Sequence, residues 1–70
     1  MSDDFTRLKC DVEMEVSAPS IQTANKWTAD ALRRLADRVE TGELNDGFEP
    51  VTDGAGKEIG QVYVDYSGTS

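Results

Sequence analysis

The most restrictive feature of the sequence is a strict two-residue alternation near its start. From Leu8 to Val16, apolar side chains fall at every second position and charged side chains fall between them. Successive side chains of a β-strand point to opposite faces, so this alternation predicts a half-buried strand with one face in water. A sheet with one solvated face needs one covering layer, which predicts a two-layer architecture.

Cys10 occupies one of the apolar positions of this strand. A free cysteine there behaves as a small hydrophobic residue, so we expect Cys10 to fill the core. The chain has no other cysteine and no histidine, which excludes an internal disulfide and a Cys/His zinc site within one chain. We therefore expect no metal and no cofactor.

A helix is predicted from about Ile21 to Thr41. Ser20 is suited to cap its start and Gly42 to end it in the left-handed conformation. Charged residues lie opposite a stripe that recurs at the helical period. That stripe consists of Ile21, Ala24, Thr28, Ala31, Leu32, Leu35 and Val39.

The second half of the chain predicts two strands, at about Glu49 to Thr52 and about Glu58 to Tyr66, joined by a glycine-bearing turn. Pro50 lacks an amide hydrogen, so its strand should lie at an edge of the sheet. We predict an α+β fold of order β-α-β-β, with one helix packed on a three-stranded antiparallel sheet of strand order 1-3-2.

This topology assigns side chains to two faces of the sheet. The residues expected to face the helix are Val12, Met14, Val62, Val64 and Tyr66. Those expected on the open face are Ile59, Gln61, Tyr63 and Asp65. Leu44 and Phe48 are expected to close the bottom of the core.

Seventy residues can build one hydrophobic core, so we predict a single domain over residues 1–70 with frayed ends at 1–5 and 67–70. No apolar run approaches the roughly 20 residues of a membrane-spanning helix. The first residues also lack the basic start of a secretory signal. These features predict a cytoplasmic protein that does not enter a membrane.

The formal net charge is −7, and the acidic excess lies outside the predicted helix. Such a surface repels phosphate backbones, which disfavours direct binding of nucleic acid. Glu43, Asp46 and Glu49 fall in a stretch without basic residues, close to the predicted edge strand. This acidity either keeps the protein soluble or meets a basic partner.

The residues expected of a catalytic site are absent or poorly placed. Histidine, the usual base of nucleophilic sites, does not occur. Glu13 and Glu15 lie on an exposed strand face rather than in a cleft that would raise the pKa of one of them. The glycines between Asp53 and Lys57 lack the spacing of a phosphate-binding loop and precede a strand. We expect a non-catalytic protein, and no small-molecule ligand is indicated.

Three residues are candidates for contact with a protein. Trp27 lies beside the helix stripe, on the same flank as Arg34. The pair either shields the edge of the core or forms an interface anchor. Tyr63 could stack a nucleic-acid base on the open face, but the acidic neighbours Asp11 and Glu13 oppose RNA. A protein partner is the better interpretation.

The segments Ala31–Glu43, read as ALRRLADRVETGE, and Asp53–Gly60, read as DGAGKEIG, carry a resemblance. The C-terminal half of the chain is similar to short uncharacterised proteins of proteobacteria and their phages or prophages. No activity or binding residue is assigned to that group, so none is transferred. The resemblance implies a bacterial or phage-type accessory protein.

The function predicted from the sequence is a small non-catalytic protein-interaction module, with self-association as one option. In order 1-3-2 the first strand is an edge, and two copies could pair there as a homodimer unless its charges prevent it. The alternative is an acidic decoy that mimics nucleic acid and inhibits a basic host protein.

Overall fold

The computed structural model describes residues 6–67 and confirms the predicted fold. Its elements, in chain order, are β1 (Lys9–Met14), α1 (Ile21–Glu40), β2 (Gly47–Thr52) and β3 (Glu58–Asp65). They form an antiparallel sheet of order β1-β3-β2. Ser67 lies within the described part, while the fraying predicted for residues 1–5 and 68–70 lies outside it.

The ends of α1 follow the predicted capping. The Ser20 Oγ accepts the Thr23 amide at 3.1 Å, which satisfies one of the free donors of the first turn. Beyond the helix, Gly42 has a φ of 75°, a left-handed conformation that glycine adopts without steric cost. The Glu43 amide then donates to the Arg38 carbonyl at 3.2 Å. Local sequence signals therefore set the length of the helix.

The core lies between α1 and the β2–β3 half of the sheet. Val62 and Val64 of β3 are almost fully buried, and α1 contributes Ala31 and Leu35. Leu44 and Val51 complete this cluster, and Tyr66 and Met14 pack partly buried against it. Leu44 closes the core as predicted.

Phe48 was expected beside Leu44, and this prediction is wrong. Its side chain is 68% exposed. Phe48 belongs to β2, which begins at Gly47 rather than near Glu49. Since Val51 is buried, the period of two directs Phe48 to the opposite, open face.

Ile59 was expected on the open face, and the structure places it half-buried against the core. The pairing of β2 with β3 shifts between Val51 and Thr52, which face Gly60 and Glu58. Ile59 is thus the extra residue of a β-bulge, where strict alternation of side chains fails.

Gly60 allows β1 to approach β3 closely. A Cβ atom at this position would lie 2.6 Å from the Met14 Cα and would also overlap the Glu13 carbonyl oxygen. Both are backbone atoms that no side-chain rotation can move away. The attachment of β1 to the sheet therefore depends on this glycine.

The inner face of β1 differs from the expectation. Val12 stands opposite Val62 and so shares the helix side of the sheet, as predicted, but it is 41% exposed. Cys10 is exposed, which corrects its assignment to the core. The helix approaches β2 rather than β1, so β1 extends beyond the helix that should cover it.

Candidate protein-interaction surface

The free edge of β2 is closed by side chains of the helix. The Arg34 guanidinium donates to the Thr52 carbonyl at 3.4 Å, and Arg38 donates to the Pro50 carbonyl at 3.2 Å. The two arginines reach these carbonyls from outside the sheet, which shows that the carbonyls point away from β3. Pro50 has no amide hydrogen to offer there. An added strand would have to displace both arginines.

Glu49 helps to hold one of these arginines in place. Its carboxylate lies 3.7 Å from the Arg38 guanidinium and accepts the Asn45 amide at 3.0 Å. The side chain is 21% exposed. Glu49 therefore serves the structure of this edge.

Within residues 6–67, the free edge of β1 is open. The Glu15 amide donates to the Ile59 carbonyl at 2.8 Å, so Glu15 and the alternate residues before it direct their backbone groups toward β3. Cys10, Val12 and Met14 consequently direct their amides and carbonyls away from the sheet. Within residues 6–67 no strand lies on that side of β1.

An exposed apolar surface accompanies the open edge. Leu8 and Val12 are 43% and 41% exposed on the helix side of β1. Leu32 is 46% exposed, and the helical period places it on the flank of α1 away from Arg34 and Arg38. We call these three residues, with Cys10, the β1 strip. Large apolar side chains grouped at an unpaired strand are typical of interaction sites.

The opposite face of β1 carries an ordered series of charges. Arg7, two residues before β1, and Lys9 come first; Asp11 and Glu13 follow, and Glu15 comes directly after the strand. Lys9 lies 3.9 Å from Asp11, with both side chains largely exposed. The strand therefore has a basic beginning and an acidic end.

Trp27 and Arg34 line one depression, on the helix flank that their spacing predicts. This depression of about 360 Å³ is also lined by Asp30 and the β2–β3 turn residues Asp53, Gly54 and Ala55. Trp27 is 44% exposed. Arg34 also supports the closed edge of the sheet, because its guanidinium donates to the Thr52 carbonyl.

Tyr63 lies on the open face, away from Trp27. Its ring packs against Phe48 with a centroid distance of 4.8 Å and an angle of 49° between the ring planes. Asp11, Glu13 and Gln61 border a neighbouring depression of about 310 Å³. Sequence reasoning missed Phe48 here, although its spacing from Val51 contained the signal.

The three acidic candidates do not form one free surface. The Asp46 carboxylate accepts the Tyr66 amide at 2.8 Å and so ties the loop before β2 to the end of β3. Glu49 is engaged with Arg38 and Asn45. Glu43 is exposed beyond the helix. Two of the three acids therefore hold the fold together.

The β2–β3 turn is organised by Asp53. Its carboxylate accepts the amides of Lys57 and Ala55, each at 2.9 Å. The bond from Lys57, and then that from Ala55, lowers the pKa of Asp53 below its ordinary value of 3.8. The glycine-bearing segment is thus a structural turn, as its sequence predicts.

Residues 6–67 contain no group of three or more acidic or cysteine side chains arranged to hold a metal ion. In the same range, no helix has the length and apolar character needed to cross a membrane.

The fold and surfaces define a class, a one-helix, three-stranded α+β protein with one closed and one open sheet edge. Comparisons of the chain with protein-family models, curated proteins and solved structures gave no match.

Proposed function

We propose that the chain is a non-catalytic protein-interaction module that binds a protein partner through the open edge of β1 and the adjacent β1 strip. The observation that carries this proposal is the exposure of Leu8 and Val12 along an unpaired strand edge, with Leu32 exposed on the flank of α1 away from the closed edge. Burial of apolar area stabilises an association by roughly 25 cal/mol per Å² before the costs of ordering.

The contrast between the two edges supports this choice of surface. Arg34, Arg38 and Pro50 close the β2 edge, as expected of a protein that avoids unwanted strand pairing. In the part of the chain that the structure describes, the β1 edge has no comparable proline or covering arginine. A partner that supplies a strand would satisfy its outward backbone groups and would lie against the β1 strip.

Site-specific photo-crosslinking tests the proposal. A benzophenone amino acid replaces Val12 in one variant and Arg33 in a control variant, and each purified protein is irradiated in an extract of the source organism. Arg33 is 75% exposed on the outer face of α1, so it reports random encounters. We expect adducts with a defined protein, this chain included, from position 12 and not from position 33. Equal yields from both positions, or none from position 12, would contradict the proposal.

The acidic decoy is the alternative function and behaves differently. Its complex would dissociate steeply with rising salt, because exposed charges are screened over about 8 Å at physiological ionic strength. It would also weaken on Glu43→Gln, which removes one of the attracting charges. Binding through the β1 strip would instead tolerate Glu43→Gln and fail on Val12→Asp. A titration of each variant against the crosslinked partner separates the two functions.

A further inference from the structure

We propose that the partner of the β1 edge is a second copy of this chain, paired antiparallel with Cys10 opposite Cys10. The proposal rests on the interaction function above and specifies its partner and register. It follows from the backbone directions of β1, from the order of its charges and from the position of its apolar residues.

The backbone of β1 permits this pairing. Glu15, Glu13 and Asp11 direct their backbone groups toward β3. Cys10 alternates with them and so directs its amide and carbonyl outward. In an antiparallel ladder, two directly opposed residues of this kind exchange both hydrogen bonds. A twofold axis through the Cys10 pair therefore forms a continuous β1–β1 ladder without changing either subunit.

The charges select this register. With Cys10 opposite Cys10, Lys9 faces Asp11 of the second copy and Arg7 faces Glu13 of the second copy. The twofold axis repeats both attractions. Directly opposed charges of opposite sign stabilise a pair of strands, whereas like charges destabilise it. The basic beginning and acidic end of β1 therefore complement themselves.

The neighbouring registers keep some of these attractions but add repulsion between like charges. Centring the pair on Asp11 sets Lys9 against Glu13 and Arg7 against Glu15, but it opposes two identical carboxylates at the axis. Centring it on Val12 brings Asp11 against Glu13 of the second copy, twice by symmetry. Both arrangements place like charges within roughly 5 Å, the spacing of opposed side chains in such a ladder. The chosen register has no repulsive pair among residues 7–13.

The same register joins apolar residues across the axis. Leu8 stands opposite Val12 of the second copy on the helix side of the sheet, so two side chains that are exposed in one chain become neighbours. The axis is perpendicular to the sheet, so the product is a six-stranded sheet with both helices on one side. The closed β2 strands form its two outer edges.

The first experiment measures the molecular mass of the protein in solution and how dimer formation depends on the charges at positions 9 and 11. At about 100 μM protein and physiological salt, light scattering of the full chain should give twice the 7.7 kDa of one chain. Lys9→Glu should weaken the dimer about tenfold, because two attractions become repulsions. The double exchange Lys9→Glu/Asp11→Lys should recover most of the affinity.

Recovery by the double exchange separates the proposed register from the one centred on Asp11. In the proposed register the new Glu and Lys again face each other. With Asp11 at the centre, the exchange would oppose two lysines and two pairs of glutamates. With Val12 at the centre, the exchange would oppose position 9 and Glu15 as like charges but would make position 11 attract Glu13. The number of attractions there is unchanged, so the Cys10 disulfide described next excludes that register. A dimer that the double exchange weakens further would overturn the proposal. Circular dichroism of each variant verifies that the fold is intact.

Cys10 provides an independent measure of register. Opposed residues with two hydrogen bonds have Cα atoms about 5.5 Å apart, within the range that a disulfide spans. Diamide, which accepts the two thiol electrons and protons, should link the wild-type dimer through Cys10 rapidly. The double variant Cys10→Ser/Arg33→Cys should form its disulfide at least tenfold more slowly.

The outcomes distinguish the pairing of two copies from the more general proposal that β1 binds a protein partner. A chain that remains monomeric at about 1 mM, while position 12 still crosslinks to another protein, would overturn the second-copy proposal and retain the interaction function. A monomer without any adduct from position 12 would contradict both. A dimer that links through Cys10 and recovers with the double exchange would support both.

Discussion

The two edges of this sheet are built from strands of equal length, yet they offer different surfaces to the surroundings. β2 carries Pro50, and its outward carbonyls accept hydrogen bonds from Arg34 and Arg38. β1 has no proline, and its outward amides and carbonyls have no neighbouring strand within residues 6–67. An edge is thus closed by specific residues that reach it from the helix.

The comparison also explains the uneven core. The arginine contacts hold α1 over β2 and β3, where the buried residues lie. A single helix is roughly 10 Å wide and two strands are about 5 Å apart, so one helix does not cover three strands evenly. The exposed β1 strip results from this offset.

The largest expected loss of stability comes from a substitution that detaches β1, the open-edge strand, from the sheet. Gly60→Ala places a Cβ atom against the backbone of Glu13 and Met14, which should cost about 3 kcal/mol of unfolding free energy. Denaturant unfolding measures the loss, and hydrogen exchange should show the β1 amides opening first. Gly54→Ala is the control, since nothing lies within 4 Å of its added Cβ, and its cost should stay within about 0.5 kcal/mol. Equal losses for the two variants would refute this account of Gly60.

The second prediction compares facing residues on covered and uncovered strands. Val62→Thr buries a hydroxyl group in an apolar site and should cost about 2 kcal/mol. Val12→Thr makes the same change directly opposite, where water remains accessible, and should cost less than about 0.5 kcal/mol in the dilute monomer. Thermal unfolding at low concentration measures both. If the Val12 variant lost as much as the Val62 variant, β1 would be covered after all.

The third prediction opens the closed edge. Arg38→Ala removes the hydrogen bond to Pro50 and the ion pair with Glu49, which should cost about 1 kcal/mol. Arg33→Ala removes only an exposed pair with Asp30 and should cost a few tenths of a kcal/mol, about the value for such helix pairs. Denaturant titrations of the two variants provide the comparison. An Arg38 variant as stable as the Arg33 variant would show that the arginine does not secure β2.

The smallest effect is a dependence on pH at the β2–β3 turn. The bonds from Lys57 and Ala55 lower the pKa of Asp53, so the ionised carboxylate favours the folded turn. This contribution is present above the ordinary value of 3.8 and is lost as the pH falls through the lower, folded value. The amide shifts of Ala55 and Lys57 should follow this titration, and Asp53→Asn should abolish it. A persistent transition in that variant would assign the titration to another group.

Much of the fold could be read from local patterns. The alternation of β1, the Ser20 cap, the Gly42 stop and Pro50 predicted the elements and the strand order, because each signal acts through neighbouring backbone atoms. The faces of Phe48 and Ile59 were predicted wrongly. Their orientation depends on where β2 begins and on a bulge, and both depend on the pairing of distant strands.

The candidate site was less accessible to sequence reasoning. Trp27 and Arg34 share a helix flank, so their position in one depression could be anticipated. Asp46 and Glu49 seemed equally free in the sequence, but their carboxylates bind the Tyr66 amide and Arg38. Cys10 was assigned to the core because alternation identifies a face without showing whether another element covers it.

The sequence by itself determined the class of elements, their order, the closed character of the Pro50 edge and the charge order along β1. These features are carried by single residues or by short periodic patterns. Only the tertiary structure decided which strand the helix covers and which edge remains open. That outcome depends on long-range contacts, above all those of Arg34 and Arg38 with β2, whose partners lie 18 and 12 positions away in the sequence.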